Sequence, residues 1–213
     1  MIQKNALTFV LGIAVASFTT ACSASAPADE QIGPVTDSDS EELPPPGYGT
    51  LRQDDFTIGM ASGSVQIKIT PLDESVIRLA APDTYQRLHG MVASRSDRIR
   101  QAAETAGIRG EPKVFLVSFF TRERQATFEP TSLQLLNQGI LYFPQGILPL
   151  TPDWGRQQLL QEKTESALYV FAPEIDLEVT LEAEYRGARS YDWVGIIRVL
   201  QSERGRVVSR AKG

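Results

Sequence analysis

At 213 residues and 42% hydrophobic content, the chain is long enough for one ordinary domain with extensions and apolar enough to pack a core. Its formal charge of -5 is unevenly placed: Cys22 to Thr50 carries six carboxylates (Asp29, Glu30, Asp37, Asp39, Glu41, Glu42) and no base, and from Leu51 onward 20 acids face 20 bases. A balanced domain lacks the broad positive field that captures phosphate backbones, which excludes nucleic acid as a partner.

Met1 to Asn5 is short and carries Lys4, and Ala6 to Ala21 is uncharged and apolar apart from scattered Thr and Ser. That is the layout of an export signal over residues 1–21. A spanning helix needs roughly 20 apolar residues to cross about 30 Å of hydrocarbon, and this run is shorter and ends in small side chains. Thr19-Thr20-Ala21-Cys22 resembles the lipobox of bacterial lipoproteins, with Ala21 and Cys22 matching and Thr19 standing where a Leu-like residue is usual. The resemblance implies that Cys22 is lipidated, that the peptide is cut just before it and that the new amino terminus is acylated. Two or more acyl chains hold a protein on a bilayer, where one chain binds only marginally. Ser23 after Cys22 resembles lipoproteins sent to an outer membrane rather than kept on the inner one, given a diderm host. The alternative is cleavage at Ala24-Ser25-Ala26, giving a soluble secreted or periplasmic protein without Cys22. In either case no second cysteine exists for a disulfide.

Residues 22–50 read as the lipidated Cys22 followed by a disordered acidic, Pro-rich tether, because so few apolar side chains cannot offset the entropy of ordering. As a flexible coil it reaches roughly 30 Å, from about 5–6 Å times the square root of its length. Asp37, Asp39 and Glu41 alternate as in a calcium loop, but no glycine follows at the sharp-turn position, so the solvated tether accounts for them.

Residues 51–213 read as a single globular domain. In "GSVQIKITP", Val65, Ile67 and Ile69 alternate with Gln66, Lys68 and Thr70, the pattern of a half-buried strand, which "SVIRLAAPD" extends briefly. The period then changes. Tyr85, Leu88 and Val92, then Ile99, Ala102, Ala103 and Ala106, recur at helical spacing, giving two helices over about 82–107 with a break near Ser94 and starts at Asp83 and Asp97. Lys113 to Thr121 is apolar on both faces, as in a central strand. Short strands follow in "ATFEP", "SLQLLNQ", "ILYFP", "ALYVFA" and "LEVTLEAEYRG", separated by turn residues. Trp193, Ile196, Ile197 and Leu200 mark a closing helix with Asp192 as candidate cap. The expected fold is mainly β with α additions: an antiparallel β-sandwich with a helical insertion after its first strand and a C-terminal helix. The run from Lys113 to Gly187 resembles immunoglobulin-like sandwich domains of exported bacterial proteins, a likeness of pattern that carries over no functional residue.

The chemistry is mostly excluded. One histidine and a cysteine used for the anchor leave no ligand set for zinc, so no metal is expected. H-E-x-x-H, G-x-S-x-G and the phosphate-binding G-x-x-x-x-G-K-[ST] are absent, so no cofactor or catalytic residue is assigned. "IGMASGS" reads as a turn entering a strand. His89 falls mid-helix beside Leu88 and Met91 with no adjacent acid, and reads as a surface or half-packed histidine. Glu178, Glu182 and Glu184 alternate with apolar residues and describe the solvent face of one strand. Arg122-Glu123-Arg124 reads as a charged hairpin tip, and Arg204, Arg206, Arg210 and Lys212 as a solvated basic end. The candidate binding surface is the proline-broken stretch Leu141 to Gly155, through Tyr142, Phe143 and Trp154, unless these side chains fold back to cap the sandwich. The function this supports is an envelope lipoprotein anchored to the bilayer through Cys22, with a non-enzymatic binding or structural module for an envelope protein or glycan. The alternatives are an envelope hydrolase using carboxylates and an accessory subunit of an envelope complex.

Overall fold

The computed structural model describes residues 43–212; the expected export signal, Cys22 and the expected tether up to residue 42 lie outside the described residues. In chain order the strands and helices are β1 (Ile58–Ser62), β2 (Val65–Pro71), α1 (Glu74–Ile77), α2 (Pro82–Ala93), α3 (Ser96–Thr105), β3 (Lys113–Thr121), β4 (Gln125–Thr127), β5 (Leu133–Asn137), β6 (Ile140–Tyr142), β7 (Gly146–Pro149), β8 (Gln158–Leu160), β9 (Thr164–Phe171), β10 (Leu181–Tyr185), β11 (Ala188–Ser190) and α4 (Trp193–Ala211). They form an antiparallel β-sandwich with helical additions. One sheet has the order β1-β2-β3-β9-β7, the other β11-β10-β5-β6, and β4 pairs with β8 as a separate ribbon.

The register follows from the side chains that need burial. Ile67 faces Phe119 across β2 and β3, and Val117 faces Ala167 across β3 and β9. Ile67, Ile69, Phe115, Val117, Phe119, Ala167 and Tyr169 therefore share the inner face, and all are buried. Phe119 meets Phe128 at 4.7 Å between ring centroids, Tyr185 of the second sheet at 5.6 Å and Trp154 at 5.8 Å, so the two sheets close on an aromatic core. Burial of the phenols is matched by hydrogen bonds: Tyr169 donates to the Pro130 carbonyl, and Tyr185 accepts from the Glu129 amide, both at 2.8 Å. The opposite face of β3 is also apolar at Val114 and Leu116 because α3 packs over this side of the sheet; the Cβ that Gly146 of β7 lacks would sit 3.0 Å from the Ala102 methyl. Two hairpins in the second sheet turn through residue pairs with positive φ, Gln138-Gly139 (51° and 77°) and Arg186-Gly187 (49° and 81°), the twist that suits two-residue hairpins.

Four expectations are corrected. The stretch after β2 is not more strand: Asp73 accepts from the Ser75 amide at 2.9 Å and starts the short helix α1. Ile58 to Ser62 is a strand in its own right, so the helical insertion follows the strand 65–71 but that strand is second in the sheet. Asp192 occupies the N-cap position of α4 but makes no cap bond; its carboxylate accepts instead from the Gly59 amide at 3.1 Å, tying the helix start to β1. Lastly, residues 43–50 are not loose tether. Pro44 and Gly49 are buried, the Leu51 amide donates to the Leu79 carbonyl at 3.1 Å, and a Cβ at Gly49 would lie 2.1 Å from that same carbonyl oxygen. Residues 43–50 form a strap against the domain, with glycine where its backbone meets that of Leu79 too closely for a side chain.

Candidate ligand cleft

The helical insertion assembles charges that are far apart in sequence. Glu74 opens α1, and Arg78 follows four residues later on the same face, its Nε donating to Glu74 Oε2 at 2.6 Å. Pro82 starts α2 with its fixed φ and no amide hydrogen to lose. The turn before it brings Tyr85 and His89, themselves four apart, over α1. Their rings stack at 5.3 Å, His89 Nδ1 lies 2.7 Å from Glu74 Oε1, and the Tyr85 hydroxyl donates to Glu74 Oε2 at 3.3 Å. An ionised carboxylate only accepts, so Nδ1 carries the hydrogen and Nε2 is left without a partner among the described residues. From the start of β3, Lys113 donates to Asp73 Oδ2, while Asp73 Oδ1 accepts from the Ser75 amide and hydroxyl.

Asp73, Glu74, Arg78, His89 and Lys113 line an open cleft of about 570 Å³, completed by Leu72, Val92 and Val114 and, from the strap, Leu43. Burial acts to raise the Glu74 carboxyl, but the bonds from Arg78 and His89 outweigh it and hold the group below its ordinary range. Asp73 behaves alike: burial opposes its charge, and Lys113 and Ser75 prevail. Both acids are thus ionised and held by donors on the cleft wall. Beyond Val92 and Val114 the cleft continues as an apolar groove of about 490 Å³ between α3 and the segment leading into β3, floored by Ile99, Ala103, Ile108 and Pro112. Glu111 stands exposed where the two halves meet.

Sequence pattern missed this site. His89 does have an acid beside it, but Glu74 lies fifteen residues upstream in a stretch whose β-branched Val76 and Ile77 resemble strand. The signal that was present is the pair of i, i+4 spacings, Glu74 with Arg78 and Tyr85 with His89.

The three side chains expected to share a binding surface are separated. Phe143 is 48% exposed, Tyr142 is half-buried against the core, and Trp154 is buried, its ring 4.9 Å from Phe128 and 6.3 Å from Tyr169. Trp154 is withdrawn from that surface because its ring packs inward against Phe119, Phe128 and Tyr169. Glu182 and Glu184 point outward from β10 as expected; Glu184 pairs with Arg189 at 2.8 Å, and Glu178, in the turn before β10, pairs with Arg204 of α4 at 2.6 Å. The basic C-terminal end is likewise engaged, with Arg206 and Arg210 both directed at Glu203. Cys22 lies outside the described residues. Among the described residues no three His, Cys, Asp or Glu side chains are gathered to hold a metal ion, and no helix is long and apolar enough to cross a membrane. No family model, curated protein or solved structure matches the chain.

Proposed function

We propose that this chain is a cell-envelope lipoprotein, outer-membrane in a diderm host, that binds a ligand from the envelope in the cleft between α2, α3 and the start of β3. The address is supported by Cys22, which stands where an uncharged apolar run ends in small residues and an acidic tether begins. Binding is supported by a cleft of drug-ligand size with an apolar extension and a few fixed polar groups, the usual make-up of a ligand site.

Labelling with a palmitate analogue during expression in a bacterial host is expected to mark the wild type and not Cys22→Ala. Equal label in both removes the lipoprotein reading. For the cleft, Ala93 is exposed at its rim, so Ala93→Trp obstructs the opening without entering the core. Envelope protein or glycan recovered with the wild type is expected to be lost with Ala93→Trp at an unchanged melting temperature. A partner retained at fixed stoichiometry by Ala93→Trp points instead to an accessory subunit bound elsewhere. One observation favours a hydrolase as second reading: His89 lines the cleft with Nδ1 held by Glu74 and Nε2 without a partner among the described residues, the arrangement of a general base. Turnover of an envelope ester or glycan that His89→Gln abolishes would select it.

A further inference from the structure

We infer that the cleft and its apolar extension take a small amphiphilic carboxylate, a fatty-acid-like molecule with its head at Lys113, Arg78 and His89 and its body along Ile99, Ala103 and Ile108. The inference rests on the cleft being the ligand site and adds the chemistry of what enters it.

The head group follows from which hydrogen-bonding capacity remains. Every oxygen of Asp73 and Glu74 already accepts from a neighbour: Ser75 and Lys113 on the first, His89, Arg78 and Tyr85 on the second. Donors are not exhausted in the same way. Lys113 has three N–H groups and uses one, on Asp73, and its side chain is 27% exposed. Arg78 uses Nε on Glu74 and Nη1 on the Pro44 carbonyl and also bonds the Tyr85 oxygen, so it brings positive charge to the head rather than a free donor. His89 retains Nε2 and is 50% exposed. The wall therefore offers donors to a newcomer and few acceptors, which suits a carboxylate and not an amine. Of the three carboxylates in the lining, Asp73 and Glu74 are each paired with a cation, whereas Glu111 stands exposed at the boundary, and a carboxylate head passing it meets repulsion.

The body follows from the neighbouring groove. Its floor of Ile99, Ala103, Ile108, Pro112 and Val114 has no polar side chain; Ser96, Arg100, Glu104 and Glu111 complete the lining. An alkyl chain needs no hydrogen bonds there, whereas a peptide backbone would leave amides without partners against that floor. The site thus favours a small amphiphile over a protein C terminus, although both end in a carboxylate.

The test titrates the full chain carrying Cys22→Ser, so that no acyl chain of its own competes, by calorimetry with four probes. Octanoate is expected to bind. Octanamide, with the same body and no charge, and butyrate, with the same head and little body, are each expected to bind about tenfold more weakly or worse. An acetylated tripeptide ending in leucine is expected to bind more weakly than octanoate. Lys113→Gln is expected to weaken octanoate by about tenfold. Glu111→Gln is expected to tighten it by a few-fold, a gain that misfolding cannot produce. Octanamide binding as well as octanoate, with Ala93→Trp blocking both, overturns the carboxylate assignment and leaves the cleft as an apolar ligand site. Tighter binding of the tripeptide overturns the small-molecule assignment in favour of a protein C terminus. Octanoate binding that Ala93→Trp, Lys113→Gln and Glu111→Gln all leave unchanged overturns the location, and no binding of octanoate overturns the inference; the envelope recovery experiment with Ala93→Trp still reads the cleft without these probes.

Discussion

Phe119→Ala is expected to destabilise the domain by about 3–5 kcal/mol, a large share of what holds an ordinary domain folded. Phe119 is fully buried at the centre of the longest sheet and touches three other rings, two from loops and one from the second sheet. Truncation removes its own transfer energy and leaves a cavity that Phe128, Trp154 and Tyr185 cannot collapse into, because Tyr185 is fixed by the Glu129 amide and Trp154 by its short 3-10 turn. Phe119→Leu keeps most of the volume and is expected to lose less than half as much. Urea unfolding measures both, with the aromatic circular dichroism reporting loss of ring packing. A midpoint for Phe119→Ala within about 1 kcal/mol of wild type would mean that the sheets do not meet at this residue.

The sandwich was legible in the chain wherever a segment had a single period. Lys113 to Thr121 reads as a two-sided apolar strand because both of its faces are covered, one by the second sheet and one by α3, and Trp193 to Leu200 reads as a helix because only one stripe is buried. Ile58 to Ser62 was illegible for a physical reason: it is an edge strand with Gly59 and Ala61 on its exposed face, so alternation is carried by small residues that resemble a turn. The same holds for β7 and β8, which are short and enclosed by prolines or turns, and whose burial depends on partners distant in sequence. Residues 43–50 look like linker by composition, since proline and glycine dominate, yet they are the contact: Gly49 is required by the approach to Leu79, and Pro44 is covered. The cleft was least visible of all. Its parts come from α1, α2, the start of β3 and the strap, and ion pairs across such separations leave no periodic trace.

Glu203→Ala is the second large effect, expected to destabilise by about 2–4 kcal/mol and to release the strap. Trp193, Ile196, Leu200, Glu203 and Val207 form the buried stripe of α4, and Glu203 is the one charge in it, with no solvent exposure. Its Oε1 accepts from the Thr50 amide at 3.0 Å, the Thr50 hydroxyl at 2.8 Å and Arg210 Nη1 at 2.8 Å, and Arg210 also donates to the Tyr48 carbonyl at 2.7 Å. Removing the carboxylate leaves the Thr50 donors without their acceptor and Arg210 with the Tyr48 carbonyl alone, so residues 43–50 are expected to become sensitive to limited proteolysis. Glu203→Gln keeps an acceptor for Thr50 and is expected to lose about half as much. Burial acts to raise the Glu203 carboxyl, but Arg210 and Thr50 prevail and hold it below the ordinary glutamate value near 4.5. A carboxyl lowered in the folded state contributes stability that is present above its unfolded value and lost as the pH falls through the folded one. The difference between wild type and Glu203→Gln is therefore expected to be full at pH 7 and to shrink below about 4.5, as protonation makes the two side chains alike. Urea midpoints for both proteins measured from pH 7 down to pH 3 decide it, and a gap that stays constant across that range would show that the charge of Glu203 does not hold the strap.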